Sequence, residues 1–439
     1  MRRTTALVAA VTVWATPTLV RAQGGAPGLP SPTVASDASR GIGLDEAIAR
    51  ARQQEPGLLA MRADVESARG RRQQATLRPN PTSTVETRRE PGGTDSLVSI
   101  GVDWPLDLHR RAARVAVADG QVAASQLSAD ERERSLVAEV RVRYGRVAAA
   151  MRDADVSTEL AATVERQHRL LRGRADEGAA PRLDADLLDV ELRRLQAARD
   201  LAQGRAERAL LELKPLLGMQ PEDPLVVSEP IDALVSSSAI GDRPPAAAIA
   251  ERPDVRLARE QVVIADATLE RAKREGRVDV AMFGSYMRMD SGFPQFGVSS
   301  AGSPERVRGQ FHYVSGGVKV LLPVLDRNQG QVAAAQGDRT AAAARRRATE
   351  LAAGADVAAA MVRDRRARQA LAAFGASTQA LARRNLDIVR QTFELGRATI
   401  FDVLAEQRRY LEFEQAYTAT LTEAWQANVD LRRALGELK

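Results

Sequence analysis

Two periods alternate along this sequence, and the switches between them fall at Gly and Pro. Residues 44 to 77 carry apolar positions at helical spacing, broken near Pro56. "RPNPTSTVETRRE" then alternates, with Thr82, Thr84 and Glu86 on one side and Ser83, Val85 and Thr87 on the other. After the tight loop "EPGGTD", "SLVSIGVDWPLDL" alternates again, with Leu97, Ser99, Gly101 and Asp103 opposite Val98, Ile100, Val102 and Trp104. This predicts a β-hairpin with one apolar face. From Ala112 to Asp176 the chain has no Pro and keeps a helical pattern for 65 residues, which is about 100 Å of helix at 1.5 Å per residue. A second helix is predicted over Asp184 to Leu217. Its apolar positions Leu188, Leu192, Leu195, Ala202, Ala206, Ala209, Leu213 and Leu216 step by fours and threes around one break at Arg199, a coiled-coil spacing.

The same order then returns. After a Pro-, Ser- and Asp-rich segment come a helix from Pro253 to Glu275, alternating strands in "VDVAMFGSYMRMD" and "RGQFHYVSGGVKVLLP", and a loop, "SGFPQFGVSSAGSPERV", between them. A Pro-free helical stretch from Gln329 to Phe393 and a last helix from Asp402 to Leu438 follow, the latter with the seam Tyr417, Leu421, Ala424, Asn428, Leu431 and Leu435. The turns between long helices match: "EGAAPRLDADLLDVE" places Gly178 six residues before Asp184, and "LGRATIFDVLAEQ" places Gly396 six before Asp402. Gly178 lies 73 residues after Pro105, and Gly396 lies 73 residues after Pro323. A spacing kept in register over that length is a duplication. The expected boundaries are a signal peptide at 1–22, a flexible leader at 23–43, a first repeat at 44–217, a linker or equatorial segment at 218–245, and a second repeat at 246–439.

The fold class is mainly α with a small β part, two β-hairpins set among long coiled-coil helices. Four strands form only an open sheet with exposed edges, so closing a barrel requires further chains. Strands of about ten residues suffice to cross a bilayer when tilted. Helices of this length would pack sideways as a wall, giving an oligomeric tube with a barrel at one end.

Composition removes most other chemistries. "MRRTTALVAAVTVWATPTLVRAQ" has the charged start, short apolar centre and small-residue cleavage site of a secretory signal. With no Cys there are no disulfides, thiolate metal sites, Cys nucleophiles or lipid-bearing Cys; His109, His168 and His312 lack ligand spacing. The formal charge of +6 falls to about +3 without the leader arginines Arg2, Arg3 and Arg21, and aromatics are only 4%. That is no nucleic-acid footprint, and too few aromatics for a single globular core of this length. No later stretch is apolar for long enough to make a transmembrane helix. No nucleophile–base pair, phosphate loop or cofactor motif is present, so no enzyme is expected.

The layout resembles the TolC family of outer-membrane efflux proteins over nearly the whole mature chain. The strongest similarity lies in "LGRATIFDVLAEQRRYLEFEQAYTATLTEAWQANVDLRRALGEL", which resembles the family's C-terminal helix-turn-helix. "LLPVLDRNQGQVAAA" resembles the start of its long helix, and the run Leu325-Asp326-Arg327-Asn328-Gln329-Gly330 is similar to the CzcC-like branch for heavy-metal cation efflux. The resemblance implies a homotrimer with a 12-stranded barrel in the outer membrane and an α-helical tunnel through the periplasm. It implies as partners a periplasmic adaptor (membrane fusion) protein and an inner-membrane pump of the resistance-nodulation-division type. The channel would be a passive duct for heavy-metal cations, or alternatively for drugs or other small molecules. A secreted coiled-coil structural or adhesion protein would explain the helices but not the hairpins at fixed offset. A periplasmic adaptor would have one hairpin and no duplication.

On this resemblance the Gly-x5-Asp turns are the periplasmic tips. Gly178 and Gly396 are suited to backbone angles that end a helix. Asp184 and Asp402 sit at helix starts, where each can cap the helix or, repeated by trimer symmetry, form a carboxylate ring that favours cations. Capping is the first reading for Asp184 and the ring for Asp402. The chain departs from the family at three tip positions. Ala405 replaces a second acid, Ala398 replaces an Arg with Arg397 one residue earlier, and Phe393 replaces a Tyr. Arg182 and Arg397 are the remaining candidate tip donors. Trp104 is expected at a membrane rim or beneath the hairpin. Val98, Ile100 and Val102, with Val318, Val320 and Leu322, are expected to meet lipid, subject to a strand register the sequence does not fix.

Overall fold

The computed structural model describes residues 41–91, 93, 95–237 and 245–437. The expected signal peptide, residues 23–40 of the expected leader, and Leu438 lie outside the described residues. Two helices come first among the described residues, α1 (Leu44–Gln54) and α2 (Pro56–Thr76), followed by β1 (Thr82–Arg89) and β2 (Ser96–Pro105). Then come α3 (Arg110–Asp176, 67 residues) and α4 (Arg182–Leu213), ending in a 3-10 turn at Lys214–Leu217. After α5 (Ile231–Ser236) and α6 (Pro245–Glu251), the order recurs as α7 (Pro253–Glu275), β3 (Asp279–Val298), β4 (Pro304–Leu321), α8 (Gln329–Ala373), α9 (Ala376–Glu394) and α10 (Ile400–Ala434).

Of the first predicted seam, Leu188, Leu192, Leu195, Ala202, Ala206 and Leu213 are buried; of the second, Leu421, Ala424, Asn428, Leu431 and Leu435 are. Three elements differ from the sequence reading. The last residues of the expected leader are packed: Ile42 is buried and bridges Val227. The stretch expected as one helix to Phe393 breaks between α8 and α9, where Gly375 has ψ of 155°. Phe374 there packs against Phe413 and Tyr417, with ring centroids 5.6 and 5.9 Å apart. A lone Gly inside a helical pattern is a weak stop signal. The segment expected as a loop, 291–307, is mostly strand joined by a turn near Gly302, with a register shift between Gly292 and Phe296.

The four strands form one antiparallel sheet in the order β1-β2-β3-β4. Its register decides which residues share a face. Trp104 lies opposite Met282, which lies opposite Val318, and Ile100 lies opposite Tyr286, which lies opposite Val314. Directly opposed residues share a face. One face therefore carries Val98, Ile100, Val102, Trp104, Met282, Val314, Val318 and Val320, all exposed. The other is mixed: it carries the polar Thr84, Glu86, Ser99, Asp103, Ser285, Ser315 and Lys319, with an ion pair from Lys319 to Asp103, beside Leu97, Phe283, Met287, Met289, Phe311 and Tyr313. Along β2 the apolar Val98, Ile100, Val102 and Trp104 are exposed while Ser99 and Asp103, with Leu97, are partly covered, unlike a water-soluble sheet.

The largest core lies mid-way along the helices, where Leu136, Val140, Tyr144 and Val147 of α3 meet α1, α5 and α10. The Tyr144 hydroxyl donates to the Ile42 carbonyl at 2.8 Å, tying the first described residues to the long helix.

Candidate functional site at the helix turns

The two Gly turns are built alike. Gly178 has φ 74° and Gly396 has φ 72°, the left-handed region in which only Gly is free of strain. After α3, Gly178 N–H donates to Ala175 O at 3.1 Å and Ala179 N–H to Arg174 O at 2.7 Å. After α9, Gly396 N–H donates to Phe393 O at 2.8 Å and Arg397 N–H to Thr392 O at 2.9 Å. Both are Schellman caps, which satisfy the last carbonyls of a helix. Neither glycine has any neighbour within 4 Å of where a Cβ would sit, so each is required for its angle and not for space. Gly396→Ala is therefore expected to cost about 1–2 kcal/mol locally. Amide exchange across 392–402 should speed up about tenfold, and unchanged exchange would refute this account.

The starts of the following helices differ. Pro181 precedes α4 and offers no side-chain cap, and Asp184 bonds through its own N–H to Pro181 O at 3.2 Å. At α10, Thr399 and Asp402 form a capping box: Asp402 N–H donates to Thr399 Oγ1 at 3.3 Å, and Thr399 N–H to Asp402 Oδ2 at 2.8 Å. The Thr399 hydroxyl also donates to Oδ2 at 2.7 Å. These bonds, first the hydroxyl and then the backbone N–H, hold the Asp402 carboxyl below the usual carboxylate range. The capping geometry thus belongs to Asp402, where the sequence reading puts the ring first. Its partner Thr399, absent from that reading, is visible in the sequence as a T-x-x-D spacing.

One hydrophobic cluster brings the two turns together. Leu171, Ala175, Ala185 and Leu188 around the first pack with Ile400 and Leu411 after the second, and Ala180, Leu187, Phe393 and Leu404 border them. Phe393 thus fills the position of the family Tyr by packing. Arg182 and Arg397 are exposed and make no ion pair among the described residues. Arg172 instead spans the first turn, 3.7 Å from Asp176 and 3.5 Å from Asp186. The run Leu325–Gly330 lies outside this cluster, at the start of α8. Asn328, at φ 60°, donates to Ala272 O at 2.8 Å, and a side chain at Gly276 would collide with the Arg327 carbonyl. These residues form the corner between β4, α7 and α8. Among the described residues no cluster of His, Asp or Glu could hold a metal ion, and no helix is long and apolar enough to cross a membrane.

The sequence matches the family described as "Outer membrane efflux protein" over residues 47–219 and 245–437. The chain belongs to this family. It is therefore an outer-membrane efflux channel and not an enzyme. No curated protein matches the sequence. Among solved structures, the channel is similar to the outer-membrane channel OprN, with a TM-score of 0.72 and 20% identity, covering 90% of this chain and 89% of that one. It is similar to CusC, with a TM-score of 0.73 and 15% identity over 89% and 91% of the two chains. It is also similar to the open state of the Neisseria gonorrhoeae MtrE channel, with a TM-score of 0.69 and 18% identity over 90% and 88%. At these identities the likeness is one of fold, and no branch of the family is singled out.

Proposed function

We propose that three copies of this channel close a 12-stranded barrel in the outer membrane and extend it as an α-helical tunnel into the periplasm. The observation that carries this reading is the sheet. One face exposes the apolar row Val98, Ile100, Val102, Trp104, Met282, Val314, Val318 and Val320, and its edge strands β1 and β4 have no partner strand among the described residues. In water both features are liabilities. In a closed barrel the apolar face meets lipid, the mixed face lines the lumen, and β1 of one copy pairs antiparallel with β4 of the next. The tunnel takes cargo from a resistance-nodulation-division pump through a periplasmic adaptor, and the pump supplies the energy. The cargo is heavy-metal cations, a reading supported by the likeness of Leu325–Gly330 to the CzcC-like branch. Deleting the gene should sensitise cells to cobalt, zinc, cadmium or copper; new sensitivity to drugs or detergents with unchanged metal tolerance would overturn that cargo.

At the tip, Asp402 acts both as cap and as a ring of three carboxylates. Its second oxygen remains for a passing cation. Within one chain the Thr399 bonds lower the Asp402 pKa, so the capping stability is present at neutral pH and lost as pH falls through that depressed value. Asp402→Asn should reduce cation preference in single-channel recordings. Asp402→Asn with unaltered ion selectivity would leave only the cap.

A further inference from the structure

The exposed apolar face of the sheet changes character towards the end far from the helices. Near the helices it is Val102, Trp104, Val318 and Val320. At the far end the same face carries Arg89 of β1, Arg288 of β3, and His312 and Arg308 of β4. The register fixes this: Val98 opposes Arg288 and Arg288 opposes His312, while Arg89 opposes Ser96, Asp290 opposes Gln310 and Gly292 opposes Arg308. Strands lie about 4.8 Å apart, so the three arginines span roughly 15 Å. The boundary is marked by Tyr286, whose hydroxyl lies 2.6 Å from His312 Nδ1, the two rings stacked at 6.0 Å. Aromatic side chains favour such interfaces.

The band has excess positive charge. Arg288 reaches Asp290 at 3.4 Å, and the Ser96 hydroxyl also donates to Asp290. The nearby Asp95 accepts from Gly292 N–H at 2.8 Å. Asp290 and Asp95 are thus the carboxylates set here against the guanidinium groups of Arg89, Arg288 and Arg308. A soluble protein gains nothing from a basic band directly above an apolar belt, whereas a lipid matches both parts at once. Its acyl chains lie on Val98, Ile100 and Val314, and its phosphate meets the guanidinium forks, which bind phosphate in bidentate fashion.

We propose that Arg89, Arg288 and Arg308 form a binding site for a phosphate-bearing lipid of the outer leaflet. This rests on the barrel reading above. The test is native mass spectrometry of the full-length channel released from phosphatidylcholine nanodiscs doped with a bisphosphorylated lipid A. The wild type is expected to retain the phosphorylated lipid preferentially. Retention should fall about fivefold for each arginine changed in the Arg89→Gln, Arg288→Gln, Arg308→Gln series, while the triple Lys variant, which keeps the charge but loses the forks, falls between wild type and the triple Gln variant. Equal retention by wild type and the triple Gln variant would overturn the site. Displacement by millimolar inorganic phosphate would overturn the assignment to a lipid. A chain that fails to insert into nanodiscs defeats the barrel reading itself, whereas an inserted channel with no lipid preference defeats only this proposal.

Discussion

Replacing Gly145 with valine is expected to unseat Trp425 and deplete folded channel from the outer-membrane fraction. Gly145 lies in the middle of α3, where a glycine costs about 1 kcal/mol relative to alanine. It is there because the Trp425 indole lies directly on its backbone: a Cβ at 145 would overlap Cδ1 and Nε1 of the ring. Trp425 is buried, and its Nε1–H donates to the Arg141 carbonyl at 2.8 Å, so the ring cannot tilt away without losing that bond. Overpacking of this kind costs about 1–3 kcal/mol for a small addition, and valine adds two further methyl groups. Trp425→Ala is expected to cost about 3–5 kcal/mol through the cavity it opens. The two positions should couple: Gly145→Ala is harmful alone and neutral or helpful beside Trp425→Leu. Urea midpoints for the four proteins of that cycle give the coupling. Simple additivity would show that the ring and the glycine do not share the space described.

Glu414→Ala is expected to be as damaging, for an electrostatic reason. Glu414 of α10 is 3% exposed and Arg152 of α3 is 15% exposed, and they meet at 2.8 Å. The same guanidinium donates to Thr418 Oγ1 at 2.7 Å, lies 3.4 Å from Asp232 of α5, and stands 4.9 Å from the Tyr417 ring centre. Tyr417 in turn donates to Asp232 at 3.1 Å. Removing the buried carboxylate leaves the largely covered Arg152 with only the half-exposed Asp232 as a charged partner; breaking a buried pair costs about 3–5 kcal/mol, whereas replacing both partners with apolar residues is often neutral. Glu414→Ala should therefore lower the urea midpoint sharply, and Glu414→Leu with Arg152→Met should recover most of the loss. Equal damage in the single and double variants would show that the clasp acts by shape and not by charge.

Local features of this chain are legible in its sequence. The ends of α3 and of α7, the two hairpins and the positive-φ glycines at 178 and 396 follow from runs without Pro, two-residue alternation and Gly placement. Each such signal is carried by neighbours along the chain. Where sequence and fold part ways, the cause is a distant partner. Phe374 breaks the long helix by packing on Phe413 and Tyr417 of another helix, and the Gly- and Ser-rich segment after Asp290 stays extended because β4 pairs with it. At the candidate site, the Gly-x5-Asp turns and the T-x-x-D cap of Thr399 are local and readable. The cluster that joins the two turns is not, because Leu171 and Ile400 come from different repeats.

The amino-acid order by itself determined the element types, their duplication at a fixed offset and the two turns, because periodicity and backbone preference act over a few residues. Only the tertiary structure decided which sheet face is apolar and exposed, that Gly145 serves Trp425, and that Glu414 neutralises Arg152. These depend on partners up to about 280 residues apart, whose meeting is set by strand register and helix packing and leaves no period in the sequence.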